Sequence, residues 1–157
     1  MKVIGIDPGF ERLGIAIVEK DKTGKELVLF SECFKTSALL DFEKRLFLIG
    51  EEITNIIKKY KPDTLAIETL FLNKNQKTVM RVAETRGVIL YEAQKANLKI
   101  FNISPPCIKL AVTGYGRANK EQMMKMVRLL VNIKSDKTSD DELDAIAIAL
   151  TCMAINK

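Results

Sequence analysis

The stretch Lys2-Val3-Ile4-Gly5-Ile6-Asp7 is an apolar run that ends in an acid, and the turn pair Pro8-Gly9 follows it. Thr64-Leu65-Ala66-Ile67-Glu68 repeats the pattern. Near-continuous apolar runs of this kind are typical of central strands buried on both faces of a sheet. Open α/β sheets build their sites at the carboxyl ends of such strands. We therefore expect Asp7 and Glu68 at a functional sheet edge, with turn capping or lysine pairing as the alternative for each.

The rest of the chain alternates between strand and helix patterns. Besides 2–7 and 64–68, short apolar runs bounded by turn residues predict strands at 14–18, 26–34 and 98–103. The first three strands are expected to form an antiparallel meander. Spacings of three and four predict helices at 37–59, 78–96, 105–112, 120–131 and 140–155, with Ser37, Ser104 and Ser139 as candidate N-caps. This order predicts an α/β fold with a five-stranded mixed sheet flanked by helices, in one domain spanning 1–157.

Composition limits the cellular setting. The 157 residues are 47% apolar and 29% charged, which is enough for one real core. No apolar run approaches the roughly 20 residues of a membrane span, and the N-terminal run is too short for a signal peptide. The three cysteines form no Cys-x-x-Cys pair, which favours reduced thiols over a disulfide frame or a zinc site. We expect a cytoplasmic protein that has no contact with a membrane.

The chain contains no histidine, so Ser-His-Asp, Cys-His and His-ligated zinc chemistry are excluded. An enzyme built from this sequence must use carboxylates, lysines, hydroxyls, thiols or hard metal ions. Its 25 Lys and Arg against 20 Asp and Glu give a net charge of +5, which is compatible with an anionic partner such as nucleic acid.

A second pair of acids lies in the last predicted helix. Asp141 and Asp144 are three residues apart and therefore share one helix face. Favourable interaction with the helix dipole explains Asp140 and Glu142, and it is the alternative for Asp141, but Asp144 lies deeper in the helix. Four converging carboxylates and no histidine favour Mg²⁺ or Mn²⁺. A pair of such ions about 4 Å apart is the arrangement used for phosphodiester hydrolysis.

Several motifs occur along the chain in a fixed order. They are Ile6-Asp7-Pro8-Gly9 with Gly14, Ala66-Ile67-Glu68 with Phe71, Arg86-Gly87, Pro105-Pro106 with Lys109, Thr113-Gly114-Tyr115-Gly116-Arg117-Ala118-Asn119-Lys120, and Asp141-Glu142-Leu143-Asp144-Ala145. Together they resemble the bacterial crossover junction endodeoxyribonucleases of the RuvC type, Holliday junction resolvases with an RNase H-like fold. The resemblance spans the whole chain, and the ordered set is far more specific than any one motif.

The resemblance implies a metal site formed by Asp7, Glu68, Asp141 and Asp144, although some family members carry histidine at the position of Asp141. It implies a homodimer that nicks two strands of like polarity in a four-way DNA junction, leaving 5′-phosphate and 3′-hydroxyl ends. It further implies two Mg²⁺ ions per site, replaceable by Mn²⁺, and work with the RuvAB branch-migration complex.

The resemblance also suggests DNA contacts. Lys109 and Lys120 match family lysines near the scissile strand, and Lys120 is a candidate for transition-state support; solvated surface lysines are the alternative. Phe71 is expected to stack on an unpaired base, with core packing as the alternative. The remaining candidate DNA contacts are Lys74, Lys77, Arg81 and Arg117.

The predicted second helix offers a dimer contact, with packing onto its own sheet as the alternative. Its candidate contact residues are Val79, Val82, Ala83, Gly87 and Leu90.

Three other functions compete with junction cleavage. An RNase H-like nuclease of the YqgF type or one acting on RNA keeps the same fold, and a non-catalytic junction-binding module keeps the same partner. An actin-like ATPase would need a second lobe, for which the chain is too short.

Overall fold

The computed structural model describes residues 1–70, 76–131, 133 and 137–156. Its elements are β1 (Lys2–Asp7), β2 (Arg12–Lys20), β3 (Glu26–Lys35), α1 (Phe42–Tyr60), β4 (Thr64–Glu68), α2 (Gln76–Lys95), β5 (Lys99–Ile103), α3 (Pro105–Thr113), α4 (Lys120–Leu130) and α5 (Asp140–Ile155). In this part of the chain, no helix has both the length and the apolar character needed to cross a membrane.

The five strands form one mixed sheet in the order β3-β2-β1-β4-β5. The strands β1, β2 and β3 pair antiparallel, which confirms the expected meander, while β4 lies parallel to both β1 and β5. Ile6 pairs with Ile67 across β1 and β4, so the residues that follow, Asp7 and Glu68, end two neighbouring parallel strands at the same edge. The predicted placement of these acids is confirmed.

Strand β1 is buried on both faces because its side chains alternate between two cores. Val3 packs into a core formed with α3, α4 and α5, whereas Ile4 and Ile6 pack into a second core with α1 and α2. All three side chains are fully buried. Because both faces of the strand are packed, its carboxyl end is held rigidly, and with it the backbone of Asp7.

Two glycines allow α5 to lie directly on the sheet. A Cβ atom on Gly5 would lie 2.2 Å from the carbonyl oxygen of Ala145, and one on Gly14 would lie 2.1 Å from the carbonyl oxygen of Asp141. Any side chain at either position would push the helix away. The close approach brings the first turn of α5, with its acids, against the end of β1.

The predicted start of the first helix is wrong. Helix α1 begins at Phe42 with Asp41 as its N-cap, rather than after Ser37. The Ser37 hydroxyl instead accepts the Leu39 N–H at 3.2 Å within a turn, and Leu39 is 97% exposed. Short polar side chains offer the backbone local bonds in turns as well as at helix ends, so the residue type alone did not fix the start.

The other helix caps and element bounds lie closer to those predicted from the sequence. Ser139 and Glu142 form the expected capping box of α5. Ser104 occupies the N-cap of α3, but its side chain makes no capping bond. Strand β2 runs two residues further at each end than the predicted 14–18, because it pairs along its length with β3.

Candidate active site

Three of the four predicted acids line one open cavity at the carboxyl edge of the sheet. Asp7 ends β1, Glu68 ends β4, and Asp144 lies in the second turn of α5. The cavity has a volume of about 220 Å³ and also contains Lys109 and Lys120. Its wall is completed by Pro105, Ile108, Met123 and Ile148.

The three carboxyl groups repel one another. Burial, followed by the charges of Asp144, Glu68 and Asp141, raises the pKa of Asp7 to about 7. Burial and the Asp144 charge raise the pKa of Glu68. Burial also raises the pKa of Asp144, although Lys120 opposes the shift. Negative charge concentrated without enough compensation in a half-buried cavity favours the binding of a cation.

The fourth acid is close, but its side chain is held elsewhere. Arg12 Nε donates to Asp141 Oδ2 at 2.9 Å, and Arg12 Nη2 donates to the same oxygen. Cys33 Sγ donates to it as well, at 3.5 Å. The hydrogen bond from Arg12 holds the pKa of Asp141 below its usual value. The described residues that line the cavity do not include Asp141.

Lys120 lies at the start of α4 and faces the acids. Its Nζ lies 3.2 Å from Asp140 and 3.6 Å from Asp144. Burial lowers its pKa, but the hydrogen bond to Asp140 and the charge of Asp144 outweigh burial, so the pKa is raised and the lysine stays charged. Asn119 fixes this position because it forms a capping box with Gln122. Asp140, for which only a dipole role was expected, therefore also pairs with Lys120.

The other predicted DNA-contacting residues have mixed outcomes. Lys77 on α2 and Arg117 before α4 are exposed. Phe71 and Lys74, the candidates for base stacking and phosphate contact, lie outside the described residues. Arg81 is half-buried, and its guanidinium lies 5.1 Å from the ring centre of Phe42. The aromatic contact places Arg81 against the protein, which makes it a weaker phosphate-binding candidate than the exposed Lys77 and Arg117.

Sequence analysis assigned no role at the site to two arginines, although Arg86 belongs to the quoted Arg86-Gly87 motif. Arg12 pairs with Asp141, as described above. Arg86 on α2 donates through Nε to the Glu68 carbonyl at 3.2 Å and through Nη2 to Asn102 Oδ1. The Arg86-Gly87 motif was the available signal for Arg86, whereas nothing distinguished Arg12 from other surface arginines.

The donor chemistry fits a hard divalent cation, because the available ligands are carboxylate oxygens. Within residues 1–70, 76–131, 133 and 137–156, however, no three acid or cysteine side chains are arranged to hold an ion as they stand. The backbone brings the acids to one edge, and side-chain rotation would have to complete the ligand set.

Comparison with known proteins finds relatives over nearly the whole chain. The family description "Crossover junction endodeoxyribonuclease RuvC" matches residues 3–152. The RuvC protein of Halothermothrix orenii is 42% identical over 150 residues, covering 96% of this chain and 90% of that protein. The RuvC protein of Thermosipho melanesiensis is 41% identical over 156 residues, covering 99% and 98%.

A solved structure is similar across nearly the whole fold. Thermus thermophilus RuvC in complex with a Holliday junction substrate superposes with a TM-score of 0.90 at 30% identity, covering 96% of this chain and 92% of that one. The RNase H-like architecture expected from the sequence is thereby confirmed. On the sequence match and the shared architecture, the chain belongs to the RuvC family of crossover junction endodeoxyribonucleases.

Proposed function

We propose that this chain resolves four-way DNA junctions by cutting phosphodiester bonds at the carboxyl edge of its sheet. The observation that carries the proposal is the cavity in which Asp7, Glu68 and Asp144 face Lys109 and Lys120. The acids are suited to hold metal ions and the lysines to attract phosphate. The structure of Thermus thermophilus RuvC was solved in complex with a Holliday junction substrate, which supports the same substrate here.

We propose that Asp7, Glu68 and Asp144 hold Mg²⁺, or Mn²⁺ in its place, and that Asp141 completes a site for two ions. When bound, such ions polarise the scissile phosphate and position water in line with the leaving oxygen. Cleavage would leave 5′-phosphate and 3′-hydroxyl ends.

The lysines supply the positive charge that the substrate meets first. Lys120 lines the cavity with a side chain that is 60% exposed, 3.6 Å from Asp144, where it can contact the scissile phosphate and stabilise the charge that develops on it. Lys109 lines the same cavity from α3 and is suited to orient the approaching strand. Exposed Lys77 and Arg117 would extend the contact along the backbone, which makes affinity fall as salt rises. Lys74, Phe71 and Arg81 remain further candidate contacts.

The test compares a synthetic mobile four-way junction, a linear duplex of the same sequence and an RNA–DNA hybrid, each in Mg²⁺, Mn²⁺, Ca²⁺ or EDTA. We expect paired nicks in junction strands of like polarity with Mg²⁺ or Mn²⁺, and products that a DNA ligase seals. Ca²⁺ is larger and less strict in geometry and should support little cutting, and EDTA none.

Three results would contradict the proposal. Preference for the RNA–DNA hybrid would favour an RNase H-like nuclease acting on RNA. Undiminished cutting in EDTA would reject the metal site. Junction binding without cutting in any metal would favour the binding-module alternative.

We further propose that the active form is a homodimer joined through α2. Met80 and Tyr91, at 66% and 65% exposed, lie on one outward side of this helix with exposed Ala83 and Gly87. A Cβ on Gly87 would meet no atom within 4 Å, so nothing in the described part of the chain packs against it. If two chains met through this outward side of α2 around a two-fold axis, the dimer would place two active sites on a two-fold substrate.

The residues of α2 predicted to form the dimer contact differ in their exposure. Ala83 and Gly87 point outward, whereas Leu90 packs into the core beneath the helix, and Val79 and Val82 are half-buried. Packing onto the sheet therefore accounts for Leu90, and the proposed dimer contact is supported by the exposure of Ala83 and Gly87.

Ala83→Glu should break the dimer, because it places a charge without a partner in an apolar contact. We expect the dimer dissociation constant to rise about 100-fold, measured by sedimentation equilibrium. Ala154→Glu is the matched control, since it adds the same charge at an exposed alanine in the last turn of α5. An equally strong dimer in both variants would place the contact elsewhere.

The family resemblance carries three further proposals: that the chain acts as one nuclease domain, that it works with the RuvAB branch-migration complex, and that it does so in the cytoplasm.

A further inference from the structure

The backbone of Asp141 lies at the acid cluster, whereas its carboxylate lies outside the cavity. The Asp141 carbonyl lies against Gly14, and Gly14 is the residue paired with Asp7 across β1 and β2. A Cβ built on Gly14 would lie 3.2 Å from the Asp7 Cβ, so the first turn of α5 is already at the acid cluster. The Asp141 carboxylate is nevertheless bound by Arg12 outside the cavity. Rotation of one side chain, without movement of the helix, would bring it back toward Asp7.

The contact with Arg12 is easily exchanged. The Arg12 side chain is 50% exposed and that of Asp141 is 20% exposed, and an ion pair with one partner this open to solvent adds modest stability. A guanidinium binds phosphate oxygens through the same pair of donors that it offers to a carboxylate. A DNA phosphate that reaches the half-exposed Arg12 therefore competes directly with Asp141 for its guanidinium.

We propose that Arg12 holds Asp141 away from the ion site until DNA binds, then moves to a backbone phosphate and releases Asp141 to complete the ligand set. Arg12 is thus both a positioning residue for one metal ligand and a phosphate contact. The inference rests on the proposed junction-cleaving function. It also makes metal and junction binding mutually reinforcing, since each favours the arrangement in which Asp141 is free.

The first test measures Mn²⁺ binding to the DNA-free protein by titration calorimetry. Arg12→Gln should bind Mn²⁺ about three- to fivefold more tightly than the wild type, since the competing ion pair is gone. Lys25→Gln removes the same charge from the β2–β3 turn, about 26 Å away along β2, and should match the wild type. In an Asp141→Asn background the Arg12→Gln gain should vanish, because the effect requires the carboxylate that Arg12 holds.

The second test follows junction affinity in EDTA as a function of salt. Arg12→Gln should reduce the slope of log affinity against log salt by about one, as expected for one lost phosphate contact. Lys25→Gln should leave it unchanged. Thermal unfolding of each variant establishes that the native fold is retained. Arg12→Lys keeps the charge but lacks the paired donors, so it should bind Mn²⁺ more tightly than the wild type.

Weaker or unchanged Mn²⁺ binding in Arg12→Gln would overturn the release of Asp141, as would a gain that persists in the Asp141→Asn background. An unchanged salt slope would overturn the move to phosphate. These failures are distinct from failure of the proposed function, because in each of them the wild-type protein still cuts the junction.

Discussion

Asp7→Asn is expected to reduce junction cleavage by at least about 1,000-fold while the protein still binds the junction. Asp7 is the most buried of the acids and has the other three acids as charged neighbours. Its loss removes the central ligand of the proposed ion site, whereas the phosphate-facing lysines remain. Removing a negative charge from the cavity should leave junction affinity equal or higher, because the DNA is an anion.

Single-turnover cleavage and gel-shift binding on the same four-way junction separate the two effects. Asp41→Asn is a suitable control, because Asp41 is exposed and makes no side-chain capping bond at the start of α1. Near-normal cutting by Asp7→Asn would remove Asp7 from the catalytic set. Loss of binding together with cutting, in a protein that unfolds normally, would mean that this acid shapes the DNA path instead.

Strand ends were predictable because burial leaves a pattern in the chain. The apolar runs before Asp7 and Glu68 are buried on both faces of the sheet, and short runs of this kind bounded by turn residues are typical of central strands. Two acids at the ends of parallel neighbours must then lie together. The i, i+3 spacing of Asp141 and Asp144 places them on one helix face, but only the close approach of α5 at Gly5 and Gly14 brings that face to the strands.

Side-chain partners at the site were not predictable. Arg12 and Asp141 are 129 residues apart in sequence and both are polar, so no periodicity links them. The same holds for Arg86, which reaches the Glu68 carbonyl and Asn102 across two strands. Sequence patterns report which side of an element is buried, and they do not report which polar groups meet at the end of a sheet. The rotation of Asp141 away from the cavity belongs to this second kind of information.

The metal-free protein should become less stable as pH rises from about 4 to 7, and Asp7→Asn should remove much of that loss. Burial and neighbouring charges raise the pKa of Asp7 from 3.8 in the unfolded chain to about 7 in the folded protein. Between these values the folded state holds a proton that the unfolded chain has released, so stability falls with rising pH and the penalty is complete above pH 7. Glu68 and Asp144 shift in the same direction and add to the slope.

At pH 8 in EDTA we therefore expect Asp7→Asn to raise the free energy of unfolding by about 2–4 kcal/mol, and at pH 4 by little, measured by urea denaturation. Asp41→Asn should follow the wild type at both pH values. Saturating Mg²⁺ should reduce the difference in unfolding free energy between Asp7→Asn and the wild type. An ion that binds the folded wild type stabilises it, whereas the variant lacks the central ligand. A variant less stable than the wild type at pH 8 would show that contacts of the ionised carboxylate outweigh its burial and repulsion. The expected result would instead mean that the fold carries a destabilising charge at the position where cleavage needs a cation.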